Sequence, residues 1–191
     1  MKIVLASTSP FRKTILEKLG LPFETQSPHT DETRLENEAP EKLVQRLALA
    51  KAQAVAGHYP DALIIGSDQV AVIDDEILGK PGTHEKAVAQ LQRASGKTLR
   101  FFTGLCLLNT KTGDHQLEAA PFDVVFRKLN DRQIENYLQK EKPYNCAGSF
   151  KSEALGICLF EKLQGDDPNT LMGLPLIRLV RMLEREGVAV I

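Results

Sequence analysis

The sequence predicts an α/β protein in which helices flank a long mixed β-sheet. Short apolar runs alternate along the chain with segments whose apolar residues recur at helical spacing, which is typical of α/β proteins. At least two pairs of apolar runs are joined by short turns, as in hairpins. The hairpins favour a mixed sheet over a simple doubly wound parallel one. No shift in composition divides the 191 residues, so we expect a single domain over 1–191.

The first predicted strand is "KIVLA", at residues 2–6. Ser9 and Pro10 then resemble a helix cap followed by a first-turn proline, which predicts a helix from about Pro10 to Leu19. Gly20 ends this helix.

The polar stretch from Ser27 to Glu38 is predicted to be a loop. Residues 39–56 are predicted to form a helix, because their apolar residues recur at spacings of four, three and four. This stripe consists of Leu43, Leu47, Ala50 and Ala54.

The rest of the chain continues the alternation. "ALIIGSDQVAVIDDEIL" predicts a strand pair with a turn near Asp74 and Asp75, and Gly113 separates the two long strands of a second hairpin. The remaining predictions are helices at 83–95, 130–140 and 173–186 and a strand at 155–163.

Composition excludes several classes of function. The net charge of −1 provides no basic surface for nucleic acid, and no apolar run reaches the roughly 20 residues that span a bilayer. The three cysteines contain no CxxC pair, and the four histidines show no metal-ligand spacing. We therefore expect a cytoplasmic protein, with Cys106 and Cys158 buried as core thiols because both lie in apolar runs.

The stretch "STSPFRK" after the first strand has the features of an anion site. Free backbone N–H groups and the positive end of the helix dipole favour phosphate at a helix N-terminus, and Arg12 and Lys13 add charge. The alternative is plain capping, with both cations on a solvated face. Neither a Walker pattern nor GxGxxG is present.

Asp68 lies between two apolar segments, where a carboxylate is costly unless it is paired or binds a metal. A turn aspartate is the alternative, but the apolar alternation resumes at Val70 and Val72. The adjacent Gly66 indicates a bulge or a close backbone approach.

Three further charged residues are ambiguous when taken singly. Lys51 lies at the flank of its helix's apolar stripe, where a lysine either snorkels or reaches into a cleft. Lys80 lies in the turn "LGKPG", and Glu32 lies in the polar stretch "TDETR".

Taken in order, "ASTSPFR", "RLALAKA", "IIGSDQV", "GKP" and "GLPL" resemble the Maf family of nucleoside triphosphate pyrophosphatases over nearly the whole chain. The similarity is greatest to the branch that acts on 7-methyl-GTP. The resemblance implies an elongated, two-lobed fold similar to that of inosine triphosphatases, with a long mixed sheet and a central cleft. It also implies cleavage between the α- and β-phosphates, a divalent cation (Mg²⁺ or Mn²⁺) and a homodimer.

The resemblance implies roles for individual residues. The catalytic acid falls on Asp68 and the second acid on Glu32, and this pair is also the implied metal site. The residues that would bind substrate phosphates are Ser7, Arg12, Lys51 and Lys80, with Glu32 also at the substrate. The positions that separate the branches of the family are Phe11, Gln69 and Glu153.

Phe11 departs from the pattern of many members, which have arginine at this position. This departure argues against simple assignment to the branch that prefers thymidine or uridine triphosphates. Alternative functions remain: a pyrophosphatase for those or for other non-standard nucleotides, or a non-catalytic nucleotide sensor that regulates septum formation.

Overall fold

The computed structural model describes the whole chain, Met1–Ile191. Its strands are β1 (Lys2–Ala6), β2 (Glu24–Gln26), β3 (Ala62–Ile73), β4 (Glu76–Leu78), β5 (Thr98–Asn109), β6 (His115–Phe126) and β7 (Phe160–Gln164). Its helices are α1 (Pro10–Glu17), α2 (Pro40–Ala56), α3 (His84–Ala94), α4 (Asp131–Glu141), α5 (Pro168–Leu171) and α6 (Leu176–Arg185). The predicted alternation of strands and helices is confirmed.

The seven strands form one mixed sheet in the order β2-β1-β3-β5-β6-β7, with β4 paired to β3. β1 is parallel to both β2 and β3. β4 is antiparallel to the end of β3, and β7 is antiparallel to β6. The turn between β3 and β4 is formed by Asp74 and Asp75, both with positive φ, as the sequence predicted. No helix in the chain is long and apolar enough to cross a membrane.

Two predicted boundaries are wrong. The first half of the predicted strand at 155–163 is a 3-10 helix, Leu155–Leu159, and only Phe160–Gln164 is a strand. The tighter 3-10 turn leaves Cys158 exposed, so its prediction as a core thiol is also wrong, whereas Cys106 is buried.

The closing helix begins at Leu176 rather than at Gly173. Gly173 has φ +99°, which is incompatible with a right-handed helix, and Pro175 has the extended conformation of an N-cap. The short elements β2 and α5 were missed because three or four residues are too few to show a period.

The chain divides into two compact units. The first comprises Met1–Gln69, Phe102–Ala120 and Asp167–Ile191. The second comprises Val70–Phe101 and Pro121–Asp166, and its core contains edge-to-face contacts among Phe101, Phe126, Phe150 and Phe160.

The first unit has two apolar layers, one on each face of its strands. Odd-numbered strand residues such as Leu5 and Leu63 pack in one layer with residues of α1 and α6. Even-numbered residues such as Val4 and Ile64 pack in the other layer with α2. Because successive side chains of a strand point to opposite faces, this alternation determines which helix each polar residue farther along β3 will meet.

Candidate active site

Asp68 lies inside β3, not in a turn, and is 7% exposed. As an even-numbered residue it points to the α2 face, where Lys51 Nζ donates a hydrogen bond to Asp68 Oδ1 at 2.6 Å. The buried charge predicted from the apolar context is therefore real, and it is paired.

Gly66 brings α2 close enough for this contact. A Cβ at Gly66 would lie 2.0 Å from the carbonyl oxygen of Ala48, so only glycine fits. The close backbone approach predicted for this glycine is confirmed. Lys51 lies three residues after Ala48 on α2, and Asp68 lies two residues after Gly66 on β3, so both side chains extend from the point of contact.

Lys51 bridges two carboxylates. Its Nζ lies 2.6 Å from Asp68 Oδ1 and 2.7 Å from Glu32 Oε1. The Lys51 side chain is only 8% exposed, so of the two interpretations of its flank position, the one that reaches inward is confirmed. Two carboxylates thus converge on one cationic atom, with Asp68 buried and the Glu32 side chain 60% exposed.

The loop that carries Glu32 is held to α2 by an ion pair that sequence reasoning missed. Arg46 on α2 binds both carboxylate oxygens of Glu38, at 2.7 and 2.8 Å, and also donates to the carbonyl of Thr33 at 3.0 Å. The Arg46 hydrogen bond lowers the pKa of Glu38. This pair connects both ends of the segment that follows Glu32 to the helix that bears Lys51.

The N-terminus of α1 follows β1 directly. Ser9 caps the helix by accepting from the backbone N–H of Arg12, and Pro10 occupies the first turn, as predicted. Ser7 is buried, and its Oγ accepts from the Ser9 N–H at 3.1 Å. Phe11 is 43% exposed, so part of its ring is accessible to solvent.

Arg12 is held on the opposite face of β3 from Lys51. Its Nε donates to the carbonyl of Gly173 at 2.9 Å. Burial lowers the pKa of the Arg12 guanidinium, and the nearby charges of Asp68 and Glu32 oppose that shift. Arg12 therefore lies within electrostatic reach of both acids.

Gln69 also points to this face, and its amide nitrogen is fully engaged. Nε2 lies within hydrogen-bond distance of Thr103 Oγ1 (2.9 Å) and of the carbonyls of Thr170 (2.8 Å) and Leu171 (3.1 Å).

Lys80 and Glu153 belong to the second unit, and both are exposed. The turn that carries Lys80 is fixed by a hydrogen bond from Gly82 N to Tyr144 O at 2.9 Å and by one from Gln90 Nε2 to Gly79 O at 3.0 Å. Glu153 accepts a hydrogen bond from the neighbouring Ser152 hydroxyl at 3.3 Å.

The structure thus collects the first unit's candidate residues around the end of β1 and the middle of β3. They are Ser7, Phe11, Arg12, Glu32, Lys51, Asp68 and Gln69. Ligand sites in open α/β sheets favour the carboxyl ends of parallel strands, and β1 ends immediately before Ser7. The chemistry available is a paired buried carboxylate, two cations and a helix N-terminus, which together suit a phosphorylated anion.

Comparison with known proteins agrees with this chemistry. A family model described as Maf-like protein matches residues 2–186. The 7-methyl-GTP pyrophosphatase of Colwellia psychrerythraea is 59% identical over 189 residues, which cover 99% of this chain and 94% of that protein. The 7-methyl-GTP pyrophosphatase of Nitrosococcus oceani is 58% identical over 189 residues, which cover 99% and 95% respectively.

Solved structures share the fold at low sequence identity. The Ham1 protein of Staphylococcus aureus superposes with a TM-score of 0.54 at 14% identity, covering 97% of this chain and 100% of that one. A HAM1 protein from Coxiella burnetii gives a TM-score of 0.56 at 14% identity, covering 97% and 99%.

Proposed function

The chain belongs to the Maf family, and from this membership we propose that it hydrolyses 7-methyl-GTP to 7-methyl-GMP and pyrophosphate. The observation that carries the proposal is 58–59% identity, over nearly the full chain, to two proteins named 7-methyl-GTP pyrophosphatase. We propose that residues 1–191 act as one Maf-like domain that clears modified nucleotides.

The charges of the first unit support triphosphate binding. A triphosphate carries about four negative charges, and reactions at phosphorus depend mainly on positioning and on charge stabilisation. Arg12 in the first turn of α1 and Lys51 beside Asp68 supply cations, and the positive end of the α1 dipole and the hydroxyl of Ser7 favour a phosphate at that helix end. We assign Lys80 to the same role on the family resemblance.

Asp68 is our candidate for the general base. Water attacks the α-phosphorus, its proton passes to the Asp68 carboxylate, and the bond from that phosphorus to the bridging oxygen breaks to release pyrophosphate. Lys51 now occupies Asp68 Oδ1 at 2.6 Å. An anionic phosphate would compete for the Lys51 ammonium and thereby leave the carboxylate free to bind the water.

We propose that Glu32 and Asp68 hold a divalent cation, Mg²⁺ or Mn²⁺. Both carboxylates already reach one cationic atom, Lys51 Nζ, so their donor oxygens fit a cation that takes one or two carboxylates plus phosphate oxygens. Bound there, the ion would neutralise phosphate charge.

Removal of divalent metal is therefore expected to abolish turnover. EDTA should stop pyrophosphate release, and added Mg²⁺ or Mn²⁺ should restore it. The Mn²⁺ affinity of the substrate-free protein, measured by electron paramagnetic resonance, should fall in Glu32→Gln. Full activity in EDTA would exclude the metal, and unchanged affinity in Glu32→Gln would exclude this ligand.

Base recognition is proposed to involve Phe11, Gln69 and Glu153. Methylation at N7 makes guanine cationic, and an exposed aromatic ring such as Phe11 can stack on a cation for about 0.5–2 kcal/mol. An arginine at this position would repel the base instead. Glu153 supplies an opposite charge or accepts hydrogen bonds from the guanine edge, and Gln69 Oε1 is a further acceptor.

The test of the function is a panel of triphosphates assayed for pyrophosphate, with wild type compared with Phe11→Arg/Glu153→Gln. Wild type should prefer 7-methyl-GTP to GTP, TTP and UTP. The double variant should lose roughly tenfold in kcat/KM on 7-methyl-GTP relative to GTP, consistent with the loss of about 1–2 kcal/mol of cation recognition.

Unchanged ratios among the substrates would reject the proposed base site even in an active enzyme. A wild-type preference for TTP or UTP would instead support that branch of the family. Absence of pyrophosphate from every triphosphate would favour the non-catalytic regulator.

We further propose a homodimer in the cytoplasm. The dimer rests on the family resemblance, and sedimentation equilibrium of the purified chain measures its mass directly. The location rests on the substrate class, since nucleoside triphosphates are cytoplasmic metabolites.

A further inference from the structure

One backbone carbonyl in the first unit receives two side-chain hydrogen bonds. Gly173 O accepts from Arg12 Nε at 2.9 Å and from Ser67 Oγ at 2.8 Å. Ser67 is completely buried. Gly173 has φ +99°, in the left-handed region, and a Cβ there would lie 3.2 Å from Arg12 Nε.

The turn that presents this carbonyl is itself fixed from several sides. Gly173 N donates to the carbonyl of Thr170 at 3.0 Å. Thr170 O also accepts from Gln69 Nε2 and from Thr103 Oγ1, at 2.8 and 3.0 Å. Asp167, only 3% exposed, accepts from the N–H groups of Asn169 and Ile177 on either side of the turn. The carbonyl is therefore a rigid acceptor.

A rigid acceptor on Nε fixes the plane of a guanidinium. The donors of arginine form a planar fork, so binding Nε leaves the two terminal nitrogens, Nη1 and Nη2, pointing in a set direction. These nitrogens are available for bidentate contact with phosphate. Lysine has a single side-chain nitrogen. If that nitrogen bonded to the Gly173 carbonyl, no second nitrogen would remain in a fixed direction to bind phosphate.

We propose that Ser67 and Gly173 are positioning residues that orient Arg12 towards the substrate's phosphates. Ser67 acts through the carbonyl of Gly173 and does not itself contact substrate. The inference rests on the proposed function, in which Arg12 binds phosphate, and it adds two residues to which the family resemblance assigned no role.

The test is a double-mutant cycle between Ser67→Ala and Arg12→Ala. Binding of inorganic tripolyphosphate is measured by calorimetry, and kcat and KM are measured with 7-methyl-GTP and GTP. In the wild-type background Ser67→Ala should weaken tripolyphosphate binding about tenfold. It should raise KM equally for both nucleotides, because the arginine meets phosphate and not base.

In the Arg12→Ala background, Ser67→Ala should have no further effect. The same absence of effect is expected in Arg12→Lys, which keeps the charge but lacks the fork. Thr110→Val is the matched control: the Thr110 hydroxyl donates to the carbonyl of Ala62 at the start of β3, away from the turn that presents Gly173 O, so its effect should be additive with that of Arg12→Ala.

Additive losses from Ser67→Ala and Arg12→Ala, or no loss from Ser67→Ala alone, would overturn the proposal. If Ser67→Ala does not fold, Ser67→Cys, which is close to serine in size but only a weak hydrogen-bond donor, replaces it in the cycle with the same expectations. If wild type binds tripolyphosphate but releases no pyrophosphate from any nucleotide, the proposed function is contradicted. The double-mutant cycle can still be interpreted in that case, because its binding measurements do not depend on turnover. Failure of wild type to bind tripolyphosphate would overturn the positioning proposal as well.

Discussion

Asp68→Asn is expected to lower kcat by about 10²–10⁴-fold, the usual contribution of a general base. Asparagine has nearly the same shape as aspartate but carries neither its charge nor its basicity. Lys51 keeps Glu32 as an ionic partner at 2.7 Å, so the variant does not leave a buried cation unpaired. The measurement is pyrophosphate release at saturating 7-methyl-GTP, together with the thermal unfolding midpoint.

Asp61→Asn is the matched control, because Asp61 is exposed and lies just before the same strand. It should retain wild-type kcat. Activity of Asp68→Asn within about threefold of wild type, far below a general-base contribution, would remove Asp68 from the mechanism. A large fall in the unfolding midpoint would show instead that the carboxylate is needed for the fold.

Gly66→Ala is expected to destabilise the fold and to impair turnover together. The new methyl group would lie 2.0 Å from the carbonyl oxygen of Ala48, a contact that only movement of α2 can relieve. Overpacking of this kind costs about 3 kcal/mol, or roughly 6–12 °C in Tm for a chain of this length. Displacement of α2 also moves Lys51 from Asp68, so kcat should fall even where the variant is still folded.

Gly57→Ala tests whether the loss of glycine's backbone flexibility, rather than the clash with Ala48, accounts for the effects of Gly66→Ala. Gly57 ends α2 with φ −61°, and a Cβ there would meet nothing within 4 Å. This variant should be as stable as wild type or slightly more so. Wild-type Tm in Gly66→Ala would mean that the approach of α2 to β3 is not limited by this position.

Most of the fold was predictable because its elements are long and strongly patterned. "KIVLA", the two hairpins and the helix with the Leu43–Ala54 stripe carry periods that survive without tertiary information. The errors occur where apolar content is ambiguous. Residues 155–159 are apolar enough for a strand, but a 3-10 turn is set by contacts that local sequence does not record.

The candidate site was predictable in part, and for a clear physical reason. A charged residue in an apolar strand, as at Asp68, and a lysine at a helix flank, as at Lys51, are anomalies visible in the sequence alone. The two residues pair because Asp68, like the other even-numbered residues of β3, faces α2, which carries Lys51.

The supporting contacts were not predictable in this way. Ser67 and Arg12 meet at the carbonyl of Gly173, 106 and 161 residues away along the chain. A contact to a backbone carbonyl leaves no pattern of side-chain types in the sequence. The only related features of the sequence are the glycine of "GLPL" and the serine beside Asp68. The Arg46–Glu38 pair is similarly hidden, because it joins a helix to a loop of unknown path.

Because side chains alternate between the two faces of β3, an insertion or deletion in this strand has a different effect when its length is odd than when its length is even. Insertion of one residue between Ile64 and Ser67 would turn Asp68 towards the face of α1 and α6 and would separate it from Lys51. An insertion of two residues would restore the facing. Natural variation or engineering of this strand should therefore proceed by even steps, whereas the length of the loop at 27–38 is limited by the contacts of Glu32 with Lys51 and of Glu38 with Arg46.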